Sequence, residues 1–391
     1  MTTGSPVYLD HNATTPVRPE VAEIINHHLG AAFGNPNSIH RFGRETRGAV
    51  EGARGHAAAL IGARSPEEII FTSGGTESDN WALRGAVAAV NGGGHIVTTA
   101  VEHPAVLGTC EALEKTGTQV SYVRPDSKGR VSADEIVKAI RPDTQIVSMM
   151  WANNEVGTVQ PIAEIGAACR ERGIIFHTDA VQAAGKISID VEAARVDLLS
   201  ASGHKINTSK GAGFLYIREG VHIEPIITGG GQERDLRSGT ENVPGIAGLG
   251  EACRLAREGL AGAAVETARL RDMLENEILE HIPDVVMNGD PDHRLPGTSN
   301  LGFLGAEGET LLIRLDLEGF AVSTGSACSS GSTEPSHVLL AMGLPKDAIR
   351  GSLRISLGWG NTEDDVRRLM KILPGAVERV RQMAPRARSD N

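Results

Sequence analysis

Short runs of β-branched and aromatic residues punctuate roughly the first 220 positions of the chain, with longer amphipathic stretches between them. The runs lie at 68–71 (EIIF), 95–99 (HIVTT), 119–123 (QVSYV), 145–150 (QIVSMM), 174–178 (IIFHT), 197–200 (DLLS) and 213–217 (GFLYI). Each has the length and the bounding turn residues of a strand. Residues 78–90 read as a helix opened by Thr76 and Ser78, and 162–171 as a helix stopped by Gly173. Continuously apolar strands alternating with helices predict an α/β fold around a mostly parallel, buried sheet of about seven strands.

The pattern changes near residue 250. In 265–279, Leu270, Met273, Leu274 and Ile278 share one helical face. In 362–373, Thr362 and Asp365 give a capping signal ahead of a stripe of Val366, Leu369, Met370 and Leu373. Strand-like runs lie between, at 284–287, 298–303, 320–323 and 353–357. This half reads as a smaller α+β domain. The expected division is a large domain, 16–258, and a small C-terminal domain, 259–391, which also takes in 1–15. The tail from 385 onward is expected to fray.

Composition narrows the class. Of 391 residues, 40% are apolar and 22% charged, which excludes disordered, collagen-like and disulfide-stapled chains. The 47 glycines, many clustered between apolar runs, fit tight turns and close backbone approaches. A net charge of −11 argues against direct nucleic-acid contact. Cys110, Cys169, Cys253 and Cys328 are scattered without metal spacing, and the N-terminus has no signal-peptide core, so a reduced, cytoplasmic protein is expected. No run reaches the roughly 18 apolar residues of a membrane span, so no membrane partner is expected.

Three segments carry candidate chemistry. In Phe71-Thr-Ser-Gly-Gly-Thr-Glu-Ser-Asp-Asn80 a strand runs through a glycine turn into a helix, whose free N–H groups suit a phosphate. In Phe176-His-Thr-Asp-Ala-Val-Gln182, Asp179 ends an apolar strand, where a carboxylate needs a partner such as a pyridinium N–H, a lysine or an arginine. In Ser200-Ala-Ser-Gly-His-Lys-Ile206 the next strand delivers Lys205 into a loop, a setting in which a lysine can lose its proton and form an imine. Alone, each has an ordinary alternative: a capped strand–helix joint, a solvated aspartate, a surface lysine. Together, at one edge of a parallel sheet, they match the protein's share of a pyridoxal phosphate (PLP) site. Cys328 stands apart from the other cysteines, which sit in helix-like apolar patterns. Its setting, Ser323-Thr-Gly-Ser-Ala-Cys-Ser-Ser-Gly331, reads as flexible and exposed, suited to a thiol that takes sulfur from one partner and hands it to another.

In chain order, YLDHNATTPV, TSGGTESDN, EHPAV, NNEVGTVQPI, HTDAVQAAGK, SGHK, GGGQERDLRSGTENVPGI, STGSACSS and LRISLG run from Tyr8 to about Trp359. With these motifs the chain resembles the NifS/IscS-type cysteine desulfurases, PLP enzymes of the aminotransferase class V group. The resemblance implies PLP fold type I and a homodimer that converts L-cysteine to L-alanine. It implies that Lys205 carries PLP as an imine, Asp179 pairs with the ring nitrogen, and Gln182 contacts the phenolic oxygen. His103 stacks on the ring and relays protons, and Gly75, Thr76, Ser202 and His204 hold the phosphate. Thr240 reaches the cofactor phosphate of the neighbouring subunit. Asn154, beside the cofactor, and Arg354 bind the substrate carboxylate. Cys328 becomes a persulfide and delivers sulfur to an acceptor such as an iron–sulfur scaffold, and can lend itself there as a transient metal ligand. Sulfur donation to tRNA, to cofactors or to the DNA backbone, and selenocysteine lysis, fit the same apparatus. One departure lies beside the lysine: Ile206-Asn-Thr-Ser-Lys-Gly211 lacks the family's usual Gly-Pro turn, so a different local path is expected there.

Overall fold

The computed structural model describes residues 5–90, 93–324 and 335–383. Its strands run β1 (Val7–Tyr8), β2 (Ile69–Thr72), β3 (His95–Thr99), β4 (Gln119–Val123), β5 (Thr144–Ser148), β6 (Ile175–Asp179), β7 (Leu198–Ser202) and β8 (Gly213–Ile217), then β9 (Val285–Asn288), β10 (Thr298–Phe303), β11 (Phe320–Ala321) and β12 (Ser352–Ser356). Seven of them form one sheet in the order β2-β8-β7-β6-β5-β3-β4. Pairings among β3, β4, β5, β6 and β7 are parallel, and only β8 runs against the rest. The expected runs therefore become the sheet, with ends displaced by one or two residues.

Successive side chains of a strand point to opposite faces, and the core follows that rule. Ile69 and Phe71 join one hydrophobic cluster while Ile70 joins another; Val97 and Ile96 divide likewise, as do Leu199 and Leu198. Helices Arg41–Ile61, Ile162–Arg172 and the first half of Val243–His281 cover one face, and Gly75–Ala88 and Pro104–Glu114 the other. Both faces are buried, which is why the strands lack polar alternation.

A third cluster belongs to the antiparallel sheet β12-β10-β9 and the helices around it. Leu270, Leu274 and Ile278 enter it from the long helix, as the stripe in 265–279 predicts. That helix begins much earlier than the stripe, at Val243. Its first half is Gly- and Ala-rich, so Leu249, Ala252 and Cys253 pack on the large sheet without a strong apolar period. Residue 258 lies inside this helix. The Thr362 cap forms as a reciprocal box with Asp365. The run 320–323 is strand only at β11, which pairs in parallel with β1 and ties the N-terminal segment to the C-terminal lobe.

Candidate active site

Strands β3, β5, β6 and β7 point their carboxyl ends the same way, together with β2. The loops leaving those ends enclose a cavity of about 400 Å³. Every expected site residue except Cys328 and Thr240 lines it: Gly75, Thr76, His103, Asn154, Asp179, Gln182, Ser202, His204, Lys205 and Arg354. Cys328 lies outside the described residues. Thr240 is exposed and is not among the residues that line this cavity.

The phosphate end is a helix start. Helix Gly75–Ala88 begins three residues before the expected 78, and its N-cap is Gly74, which supplies no side-chain cap. Thr76 and Ser78 are therefore inside the helix, and Ser78 Oγ turns back to Thr72 Oγ1 (2.8 Å) and Gly74 O (3.1 Å). An uncapped helix N-terminus offers N–H groups and positive dipole to an anion. The turn must be glycine because it is tight: a Cβ on Gly75 would sit 2.7 Å from Val181 Cγ2.

At the middle of the cavity Asp179 is buried and accepts from Val181 N (2.9 Å). Burial raises its carboxyl above the usual range, while His103 and Lys205 pull it back. Asp79 sits behind it, buried, with neither carboxylate oxygen hydrogen-bonded among the described residues. Burial and the Asp179 charge push Asp79 well up as well. His177, 3.7 Å from Asp79, is pushed down to about 3 by burial and is neutral. A cationic ring nitrogen is the kind of group that such uncompensated acids would accept.

His103 caps helix Pro104–Glu114, with Nδ1 accepting from Ala105 N (3.1 Å). That bond leaves the ring proton on Nε2 when the imidazole is neutral. Burial lowers its pKa, helped by Lys205 and His337 and opposed by Asp179. Lys205 Nζ donates to Asn12 O (2.5 Å) and Ala13 O (2.8 Å). His204, pushed down to about 4 by burial and nearby lysines, shares a hydrogen bond with Thr14 Oγ1 (3.1 Å).

Arg354 is buried on β12 and reaches the cavity from the small lobe. It donates to Asp10 Oδ1 (2.7 Å) and Asn154 O (3.0 Å), while its buried Nε has no partner among the described residues. A guanidinium is the donor best shaped for a carboxylate.

The departure beside Lys205 is resolved by Asn207 itself. It adopts the left-handed conformation (φ 66°) that asparagine tolerates better than most residues. Its N–H donates to Thr15 Oγ1 (2.8 Å) and its side chain to Pro16 O (2.9 Å). The loop is thus pinned to the N-terminal segment, and Lys210 and Gly211 still line the cavity.

Sequence reasoning missed Asn12, Asp79 and Lys186. Asn12 acts partly through its backbone carbonyl, which no side-chain pattern reveals. Lys186 reaches Asn12 Oδ1 (2.9 Å) and Gln182 Oε1 (2.7 Å) from the same turn as Gln182. Its spacing of four from Gln182 was the available signal.

The donor set fits PLP: an open helix start for phosphate, a buried acid for the ring nitrogen, and the Lys205 amine line one cavity. Among the described residues there is no group of His, Cys, Asp and Glu that could hold a metal ion. No described helix is long and apolar enough to cross a membrane. Comparison with known proteins agrees with the site. Residues 7–369 match the aminotransferase class-V family. A cysteine desulfurase of Nostoc sp. (strain PCC 7120) is 50% identical over 381 residues, 97% of this chain and 95% of that protein. A solved NifS-like protein is 39% identical with TM-score 0.88, covering 97% of this chain and 99% of its own. SspA, solved in complex with cysteine, is 37% identical with TM-score 0.81, covering 90% and 99%. Fold, site chemistry and near-full-length similarity agree that the chain belongs to the PLP-dependent aminotransferase class-V family, in its NifS/IscS-type cysteine desulfurase group.

Proposed function

We propose that this enzyme converts L-cysteine to L-alanine, carries the sulfur as a persulfide on Cys328, and delivers it to an acceptor protein for iron–sulfur cluster assembly. The observation that carries the reading is the convergence of Lys205, Asp179 and the uncapped start of helix Gly75–Ala88 on one cavity. Cysteine as substrate has support from the relatives' names and from the cysteine-bound SspA structure.

PLP, when bound, supplies an electron sink for breaking bonds at the substrate's α- and β-carbons. The chain's own residues do the rest. Gly75, Thr76, Ser202 and His204 hold the phosphate, and Asp179 keeps the ring nitrogen protonated. Gln182 would hold the ring oxygen, and His103 would meet the ring. Asn154 and the Arg354 guanidinium orient the substrate carboxylate, with Asp10 holding that guanidinium in place. Lys205 holds the cofactor and, once displaced, its amine takes the α-proton. His103, neutral with its proton on Nε2, is the group to exchange a proton with the substrate thiol. The Cys328 thiolate takes the sulfur: an S–S bond forms as the substrate's C–S bond breaks, the electron pair of that bond passes to the β-carbon, which takes up a proton, and alanine leaves.

The same proposal makes the enzyme a cytoplasmic homodimer of two-lobed subunits, divided at 258/259. Thr240, exposed and outside the lining of its own subunit's cavity, is free to serve a neighbour's phosphate. A transient metal-ligand role for Cys328 would belong to transfer onto a scaffold.

The test is alanine and sulfide production from L-cysteine with a reductant, for the wild type and Cys328→Ser. Equal alanine and sulfide from the wild type, with a variant that keeps its cofactor spectrum but loses at least about a hundredfold in turnover, supports the persulfide route. A fully active variant would remove Cys328 from the mechanism.

A further inference from the structure

Asn12 is the meeting point of three side chains at the floor of the cavity. Its backbone oxygen accepts from Lys205 Nζ (2.5 Å) and from Gln182 Nε2 (2.8 Å), which fills both lone pairs of a carbonyl. Its side-chain oxygen accepts from Lys186 Nζ (2.9 Å), and its amide nitrogen donates to Thr298 Oγ1 (2.8 Å) and Asn154 O (3.2 Å). Lys186 Nζ also donates to Gln182 Oε1 (2.7 Å). Nothing in the chemistry described so far uses Lys186.

The orientation of the Gln182 amide follows from these bonds. A lysine amine, charged or neutral, has at least two N–H groups, and here two oxygens face it. Turning the Gln182 amide over would set its NH₂ against the lysine N–H groups and its oxygen against Asn12 O. Both contacts would then oppose like with like. In the observed orientation one Gln182 N–H is spent on Asn12 O, and the other is left for the cavity that Gln182 lines.

We propose that Lys186 is a positioning residue: by clamping Gln182 and Asn12, it makes Gln182 present an N–H, not an oxygen, to the ring oxygen of bound PLP. This rests on the reading that Gln182 faces that oxygen. Burial, with the charges of Lys205 and Arg354, holds the Lys186 amine well below the usual lysine range, in keeping with an internal fitting and not a surface charge. A donor on the ring oxygen competes with the imine proton for that oxygen's negative charge, so it eases loss of the imine proton.

The test is a pH titration of the bound cofactor's visible absorption in the purified holoenzyme, with cofactor affinity of the apo-protein measured alongside. Lys186→Met should raise the midpoint by about one pH unit, a tenfold change in proton affinity, and weaken cofactor binding. Gln182→Leu should raise it by a similar amount, and the double variant by no more than Gln182→Leu alone. Lys186→Gln, which keeps N–H donors, should recover most of the wild-type midpoint. Lys186→Leu, which likewise offers no donor to either oxygen, replaces the Met variant if that does not fold and should give the same upward shift. A wild-type midpoint in Lys186→Met or Lys186→Leu, with Gln182→Leu shifted, overturns the proposal and leaves the reading of Gln182 standing. An unshifted Gln182→Leu overturns that reading instead. Fully additive shifts overturn the positioning role, because Lys186 would then act through its own charge.

Discussion

Arg54 and Glu233 are buried against one face of the large sheet, and their polar atoms are met from all sides. Arg54 donates to Glu233 through both terminal nitrogens (2.7 and 2.8 Å), to Ile69 O (2.7 Å) and to Glu51 (3.0 Å). Glu233 also accepts from Phe71 N (2.9 Å), and the Phe71 ring lies under the guanidinium. At the sheet's carboxyl edge the same burial is handled the other way. Asp79 has no hydrogen bond to either oxygen among the described residues, and Glu102 leaves one oxygen unmet. Asp179 faces an open cavity. Buried polar groups cost free energy unless paired. The first cluster is complete without a ligand; the second has its charge balance left for a cofactor to finish.

That contrast can be tested by removing groups from each side. Breaking the complete cluster should cost most. Arg54→Met strands Glu233 without its cation, and the expected loss is about 3–5 kcal/mol of stability, read by denaturant unfolding, with kcat of the surviving folded enzyme unchanged. A loss below about 1 kcal/mol would show that the pair is not compensated as described.

In the incomplete cluster the balance should reverse. Asp179→Asn removes a carboxylate that burial disfavours, with His103, Val181 N and Lys205 offsetting only part of that cost. The apo-protein should melt no lower than wild type, while turnover of the holoenzyme falls by about a hundredfold or more. A destabilised apo-protein would place Asp179 with Arg54 as a structural group.

The smallest effect concerns Glu102, which burial pushes up to about 8 despite hydrogen bonds from Thr99 and Met150 N. A carboxyl with a raised folded-state pKa contributes stability below its unfolded value, near 4.5. That contribution is lost as pH rises through the folded value. Glu102→Gln does not titrate, so its stability relative to wild type should climb by roughly 2 kcal/mol between pH 6 and pH 8. A flat difference over that range would mean the carboxyl stays ionised in the fold.

The sheet was legible because its strands are apolar on both faces and bounded by turn residues. The site was legible where chemistry demands a residue type at a strand end, as at Asp179 and Lys205. Three kinds of feature escaped. β1 is two residues long, too short for any period, and is a strand only because β11 lies beside it. The first half of helix Val243–His281 packs through Gly245, Gly248 and Gly250, whose contacts depend on absent side chains. In place of the first, an added Cβ would meet Asn242 Nδ2 at 2.4 Å, and in place of the last, Ala53 at 2.5 Å. Lys186 and Arg54 are long cations that composition assigns to solvent, and only the tertiary structure supplies the oxygens they face.

The pairing of β1 with β11 has a consequence for how the molecule is made. Val7 finds its strand partner at Phe320, and Asn12, whose backbone oxygen holds Lys205, finds Thr298 and Ser356. A ribosome releases the first of these residues long before the last. Contacts so distant along the chain form late, because closing the loop between them carries its entropy cost in advance. The large sheet can assemble during synthesis while the residues at its amino terminus are still waiting. The lysine is therefore seated only after nearly the whole polypeptide exists, and a nascent or truncated chain holds no finished catalytic centre.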